Sequence, residues 1–368
     1  MYINEDFSRL EINLNGCLEN YKYFRSKLDS TTRLLVLVKA NAYGHGAVEF
    51  ASLMEEAGAD YLAVAYPVEG IELRQGGIKS PLMVLTAGTD SFEQIINYGL
   101  EPGIPNLYSM KVLCGVLEKR GLKNFPVHLK LDTGMHRLGF MTDELEELAD
   151  FLATCDSVKV KSIYSHLAAA DDPENDSYTL RQVELFKKNA DRLTEAIGYK
   201  PLYHILNSAG IERFPQFQFD MVRLGIGLWG VSCCNEDQLR NVCSFSTRIM
   251  QLKTVKAGET IGYSRRGVAE RDSLIALLPL GYADGVDRRL GNGRGAFFMN
   301  GKKVPTIGNI CMDLTMIDVT GLDVKVGDEV VLFNDKQGLT EIANILGTIP
   351  YEVLTSFSSR VRRVYYRE

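Results

Sequence analysis

Val36-Leu37-Val38-Lys39-Ala40-Asn41-Ala42-Tyr43-Gly44-His45-Gly46 runs a β-branched apolar segment into a lysine and then into a turn of small residues and glycines. The apolar part predicts a buried strand over 34–38, and Lys39 follows its last residue. An ammonium so placed stands at the mouth of a fold with little side-chain bulk around it. Desolvation there lowers the pKa of an amine and makes it nucleophilic. An ordinary strand-end lysine facing water is the plainer alternative.

The same grammar extends on both sides of this stretch. Leu14, Leu18, Tyr21 and Leu28 fall at helical spacing within 11–28, before the strand. After it come a helix over 47–57, a strand over 61–66, a helix over 70–75 and a strand over 82–86. Ser91 and Gln94 form a capping-box pattern for a helix that stops at Gly99. Further strands are predicted over 100–104, 127–131, 160–165, 202–206 and 221–226. Helical patterns lie between them at 109–119, around Leu145 to Leu152, and from Val183 to Ile197. This succession predicts an α/β fold, a TIM-type (β/α)8 barrel, with an open doubly wound sheet as the alternative. Polar residues favour the barrel, because they gather at the strand ends. Lys39 follows the first strand, Lys130 and Arg137 the fifth, and His166 the sixth. Asn207 and Ser208 follow the seventh, and Arg223 and Gly225 belong to the eighth.

Beyond Ser232 the pattern changes to short strands and turns, with one helical period at Leu339 to Leu346. Asn300-Gly301 between two apolar segments signals a two-residue hairpin. The segment Gly295 to Lys302 approaches a phosphate-loop pattern but has the wrong spacing, so it reads as that hairpin. The expected organisation is a barrel over 10–234 and a mostly-β C-terminal domain over 235–368, joined by residues 1–9.

A net charge of -6 without a long basic segment argues against a nucleic-acid partner, and Arg360 to Arg367 reads as a solvated strand face. No apolar stretch is long enough to span a membrane, and the start lacks the order of a signal peptide, so a cytoplasmic protein is expected. The seven cysteines contain no C-x-x-C pair and include the adjacent Cys233 and Cys234. They read as reduced, with no metal site expected.

Several small motifs suggest chemistry. Asn207-Ser208-Ala209-Gly210, Gly225 and Gly227 supply turns of the sort that hold phosphate in barrels. Plain turn geometry is the alternative. Arg223 lies in an otherwise apolar strand and must have a partner.

Together with Lys130-Leu131-Asp132-Thr133-Gly134-Met135-His136-Arg137, Met221-Val222-Arg223-Leu224-Gly225, Ile261-Gly262-Tyr263-Ser264, Gly281-Tyr282-Ala283-Asp284-Gly285 and Gly308-Asn309-Ile310-Cys311-Met312-Asp313, the opening stretch closely resembles the alanine racemases. The resemblance runs from Lys39 to Val361. It implies pyridoxal 5'-phosphate held on Lys39 as a Schiff base, with Tyr43, Arg137, His166, Asn207, Ser208, Arg223, Gly225 and Ile226 around it. Arg223 would face the pyridine nitrogen and, as a group that keeps its proton, leave that nitrogen unprotonated. A weaker electron sink returns its proton quickly, which suits racemisation. Arg137, Tyr282, Met312 and Asp313 would hold substrate, and Lys130 stands where some members carry a carbamylated lysine.

The resemblance further implies two catalytic bases, Lys39 and Tyr263, the latter contributed by the other subunit of a homodimer. Free tyrosine titrates near pH ~10, so cations must assist it. The implied activity is interconversion of L- and D-alanine, supplying D-alanine for peptidoglycan. Ser359 stands near a position that is aromatic in several members, which leaves a broader range including serine open. A decarboxylase would want an acid where Arg223 stands, and a non-catalytic carrier of the cofactor would not need Tyr263.

Overall fold

The computed structural model describes residues 8–367. Its first strand, β1 (Arg9–Asn13), precedes a helix over Leu14–Ser26 that is capped by Asn13, whose side chain accepts from the Gly16 amide at 3.0 Å. The helical reading of 11–28 therefore holds only from Leu14. Leu10 and Ile12 alternate inward, and their pairing partners lie more than two hundred residues away, beyond the reach of a local pattern.

Eight parallel strands follow: β2 (Arg33–Leu37), β3 (Tyr61–Val64), β4 (Leu82–Val84), β5 (Glu101–Ile104), β6 (Phe125–Lys130), β7 (Val158–Tyr164), β8 (Leu202–His204) and β9 (Met221–Leu224). Their spatial order is β8-β7-β6-β5-β4-β3-β2-β9. Arg223 N to Leu206 O at 3.0 Å and Asp220 N to Tyr203 O at 3.2 Å bring the two ends together. This is the barrel expected, with the fold-defining strand β2 paired between β3 and β9. Side chains alternate along each strand. Leu34 and Val36 join the large core shared with the helices, while Leu35, Tyr61, Ala63, Met83, Tyr164 and Met221 form a separate buried cluster inside the ring. The Ser91 capping box does not form. Ser91 Oγ donates to Gly88 O at 2.6 Å, closing a short 3-10 turn ahead of the helix Phe92–Asn97.

The remaining strands are β10 (Cys243–Arg248), β11 (Gln251–Val255), β12 (Thr260–Ile261), β13 (Gly267–Val268), β14 (Ser273–Leu278), β15 (Ala296–Met299), β16 (Lys302–Pro305), β17 (Thr315–Asp318), β18 (Glu329–Phe333) and β19 (Arg362–Tyr366). They build a six-stranded sheet β16-β15-β18-β10-β1-β19, a three-stranded sheet β11-β14-β17 and the small pair β12-β13. β15 and β16 are the expected hairpin, with Asn300 and Gly301 both at positive φ (50° and 72°).

Residues 9–13 thus belong to a C-terminal sheet, while residues 1–7, part of the expected connection, lie outside the described residues. The basic run is more than a solvated face. Arg363 Nε donates to Gly44 O at 2.9 Å, and Tyr365 Oη donates to His45 O at 2.8 Å, so β19 is fastened to the turn after Lys39. Among the described residues no helix is long and apolar enough to cross a membrane.

Candidate active site

The turn after β2 is a short left-handed helix. Ala40, Asn41 and Ala42 have φ/ψ near +50°/+50°, Tyr43 has φ 56°, and Gly44 completes the turn at φ 88°. Left-handed geometry costs roughly 1–2 kcal/mol for each residue with a Cβ. Specific contacts offset it. Glu69 Oε1 accepts from Ala40 N at 2.5 Å, and its other oxygen takes the amides of Ala65 and Tyr66. Asn41 Oδ1 accepts from Ala47 N, and β19 supplies the two bonds just described. A side chain at Gly44 would meet Leu354 O at 2.4 Å. The strained turn begins directly after Lys39, at the end of β2.

Lys39 is half-buried and makes no hydrogen bond or ion pair among the described residues. Burial lowers its pKa, Arg137 adds to the effect and Glu69 opposes it. Lys130, at the end of β6, is pushed down to about 8 by burial, then by Arg137 and Arg223, with Asp132 opposing and Lys39 adding a smaller push. His166 is held neutral by burial and by the cations Arg223, Arg137, Lys130 and Lys39. One basin therefore gathers Lys39, Lys130, Arg137, His166 and Arg223. The nearby acids are already engaged, Glu69 as above and Asp132 by the amides of Gly134 and His136.

Arg223 is 3% exposed. Its Nη1 donates to His204 Nδ1 (2.9 Å) and His204 O (3.2 Å), and its Nη2 to Ser165 O (2.6 Å), Ile205 O (2.9 Å) and His166 Nδ1 (3.2 Å). Nε has no partner among the described residues, so one N–H is left for an acceptor outside the protein. Burial lowers its pKa to about 10, with Tyr164 opposing, and the group stays cationic near neutral pH.

On the other side of the mouth Ser208 Oγ accepts from Gly225 N (3.0 Å) and Gly227 N (3.4 Å), tying the loop after β8 to the loop after β9. Ile226 lies between those two glycines. Tyr43 is buried, and a Cβ on Gly225 would come within 2.6 Å of its hydroxyl. Asn207 caps the helix Ser208–Arg213 with its carbonyl oxygen on Gly210 N, leaving only its amide nitrogen for a ligand.

The donor set fits a phosphorylated pyridine cofactor. It offers an amine without a counter-ion, an N–H for a ring nitrogen, a Gly-lined cradle with a tyrosine hydroxyl, and excess positive charge for a phosphate and a substrate carboxylate.

The second group of expected residues lies apart from this basin. Tyr263 is 69% exposed, Met312 53% and Tyr282 43%. Their loops are sewn together by Asn309 Nδ2 to Tyr263 O, Tyr282 N to Cys311 O and Ala283 N to Met312 O. The Asp313 carboxylate is taken by Arg360 at 2.8 Å. Ser359 is exposed in the turn before Arg360. Within one chain, no second-group residue is among the charges that act on Lys39.

The sequence reading missed Glu69, Tyr351 and His204. Tyr351 stands 6.2 Å, ring to ring, from Tyr43, and its pKa is pushed up to about 12 by burial, then by Asp171 and Cys233. Alternation with Tyr203 places His204 inward on β8, whereas on β7 a register shift between Val160 and Ser162 breaks the alternation and hides the inward placement of Ser162 and Tyr164.

The chain matches the family model "Alanine racemase, N-terminal domain" over residues 12–233 and "Alanine racemase, C-terminal domain" over 242–365. The alanine racemase of Clostridium novyi is 38% identical over 371 residues, covering 97% of this chain and 95% of that protein. Among solved structures, the alanine racemase of Clostridium difficile 630 superimposes with a TM-score of 0.92 at 34% identity, covering 98% of this chain and 96% of that one. The alanine racemase of Bartonella henselae with covalently bound pyridoxal phosphate gives 0.87 at 30% identity, covering 98% and 99%.

Proposed function

Because the chain belongs to the alanine racemase family, a family of isomerases dependent on pyridoxal phosphate, we propose that it interconverts L- and D-alanine with that cofactor and two bases on opposite faces of the substrate. The observation that carries the reading is the Lys39 amine, held without a counter-ion at the start of a left-handed turn and facing Arg137 and Lys130.

Lys39 would hold the cofactor covalently, Arg223 Nε–H would meet its ring nitrogen, and Tyr43, Ser208, Gly225 and Ile226, with the Asn207 amide, would hold its phosphate. When bound, pyridoxal phosphate supplies an electron sink that lets the α-proton of an amino acid leave. The protein's part is to place a proton carrier on each side of that carbon. Lys39, freed when substrate takes its place, would move the proton on the D side. Tyr263 of the partner subunit would move it on the L side, since one fixed amine reaches only one face. The planar fork of Arg137 suits the substrate carboxylate, and Met312 and Tyr282 of the partner subunit would complete the pocket with Asp313 behind them.

His166 is a neutral acceptor for Arg223. Lys130, with its lowered pKa, is suited to carbamylation, which would replace a cation beside Arg137 with an anion. The reading includes a homodimer with shared sites, and the exposure of the second group in a single chain supports it. D-Alanine for peptidoglycan is the use this reading assigns to the product.

Chiral analysis of products after incubating the purified protein with each common L-amino acid tests the reading. D-alanine should form fastest, with serine the first competitor. Formation of amines with loss of the carboxylate would indicate a decarboxylase, and no turnover of any amino acid by cofactor-loaded protein would indicate a carrier.

A further inference from the structure

Inside the ring, behind the reactive lysine, a single file of polar side chains crosses the barrel, one residue from each of five successive strands. Arg223 Nη1 on β9 lies 2.9 Å from His204 Nδ1 on β8, and His204 Nε2 lies 2.8 Å from Ser162 Oγ on β7. Ser162 Oγ lies 2.6 Å from His128 Nδ1 on β6, and His128 Nε2 lies 2.9 Å from Glu101 Oε2 at the start of β5. The three middle residues are fully buried, so no solvent supplies an alternative partner.

Each link needs one donor and one acceptor, so the state of one member dictates the next. A guanidinium only donates, which makes His204 Nδ1 an acceptor and puts its proton on Nε2. That proton goes to Ser162 Oγ. Ser162, its hydroxyl oxygen now accepting, donates its own proton to His128 Nδ1. The His128 proton therefore sits on Nε2 and points at Glu101. The far end is a carboxylate that also takes the Tyr61 hydroxyl and can only accept while ionised. Burial alone would raise the Glu101 pKa, but the hydrogen bond from His128, the charge of Lys161 and the Tyr61 hydroxyl more than offset that and keep it low. His204 is held neutral by burial and by the charge of Arg223. Were a donor to stand in place of Glu101, every link would reverse and His204 would present an N–H to the Arg223 N–H.

We propose that Glu101, acting through His128, Ser162 and His204, is the positioning residue that fixes the orientation of Arg223. It holds Nη1 on His204 Nδ1 while Ser165 O and Ile205 O hold Nη2, leaving Nε–H as the one donor facing the site. The proposal rests on the reading of Arg223 as the partner of the cofactor ring nitrogen, but its test does not need the cofactor.

Only five histidines occur in the sequence, so ¹⁵N-histidine labelling of the cofactor-free protein gives a readable long-range ¹H–¹⁵N spectrum. His204 and His128 should both appear as neutral single tautomers protonated at Nε2. In Ser162→Ala, the His204 Nε2–H loses its acceptor and its resonances should shift toward those of an unbonded N–H, and Ser162→Thr should restore them. Glu101→Leu should perturb His204 across the two intervening residues, a transmitted effect that loss of packing alone does not produce. An unchanged His204 pattern in Ser162→Ala, or a wild-type His204 protonated at Nδ1, or a doubly protonated His128, would overturn the proposal. If Glu101→Leu fails to fold, the Ser162 pair decides alone. Failure of the cofactor to attach to Lys39 would sink the functional reading while leaving these spectra as they are.

Discussion

The barrel mouth and the loops of the C-terminal sheets meet water in opposite ways. Lys39, His166 and Arg223 are covered, their pKa values moved by burial and by one another, and every polar atom of the Arg223 head except Nε is engaged. Tyr263, Met312 and Tyr282 stand in solvent although their backbones are as firmly bonded. A proton carrier that is to act in a dry pocket does not stand in water, so the proposed function makes the exposed group one half of a shared site. On the proposed reading, burial within one chain sets up cofactor chemistry, whereas stereochemical inversion draws on a second copy.

The largest effect comes from breaking the barrel side alone. Lys39→Ala should abolish racemisation, and borohydride reduction followed by peptide mapping should find no labelled lysine. A label on another lysine would remove the basis of the comparison. Breaking the exposed side alone should give an asymmetric defect. Tyr263→Phe in deuterated water should still exchange the α-proton of D-alanine through Lys39, while conversion to L-alanine falls by about 10²- to 10⁴-fold, the usual worth of a positioned acid or base. Near-normal racemisation in both directions would make Tyr263 a bystander.

A smaller change sharpens the account of the phosphate cradle. Gly225→Ala places a Cβ 2.6 Å from the Tyr43 hydroxyl, an overpacking that costs about 1–3 kcal/mol if the loop shifts to relieve it. Cofactor titration should show about tenfold or more weaker binding, with the exposed half unaffected. Unchanged affinity would place the phosphate elsewhere.

The smallest effect is on stability against pH. Lys130 is pushed down to about 8 from an ordinary value near 10.5, so in that window the unfolded chain binds a proton that the folded chain does not. Its protonation penalty is full below about pH 8 and is relieved as pH rises toward 10.5. Lys130→Met should therefore stabilise the protein near neutrality, with the advantage over wild type shrinking across that window. A constant difference would mean that Lys130 is already carbamylated or otherwise uncharged.

Much of this was legible in the sequence, for identifiable reasons. The eight strands announced themselves because each is a short buried run bounded by turns, and Lys39, Arg137, Arg223 and Tyr263 sit in motifs long enough to be distinctive. β1 was not legible, since five alternating residues gain their meaning only from β10 and β19. The left-handed turn of Ala40 to Tyr43 was hidden too, because alanine and tyrosine carry no local preference for positive φ and the conformation is imposed by Glu69, Asn41 and β19. His204 and Glu101 look like ordinary strand residues until five strands are laid side by side.

The most direct test of the shared site is complementation between two dead proteins. Co-expressed Lys39→Ala and Tyr263→Phe chains should form mixed dimers in which one of the two sites draws a native Lys39 from one chain and a native Tyr263 from the other. With random pairing, racemisation should return to about one quarter of the wild-type value. If each chain supplied both bases to its own site, the mixture would stay as inactive as its parts, and the account of two half-sites would be wrong.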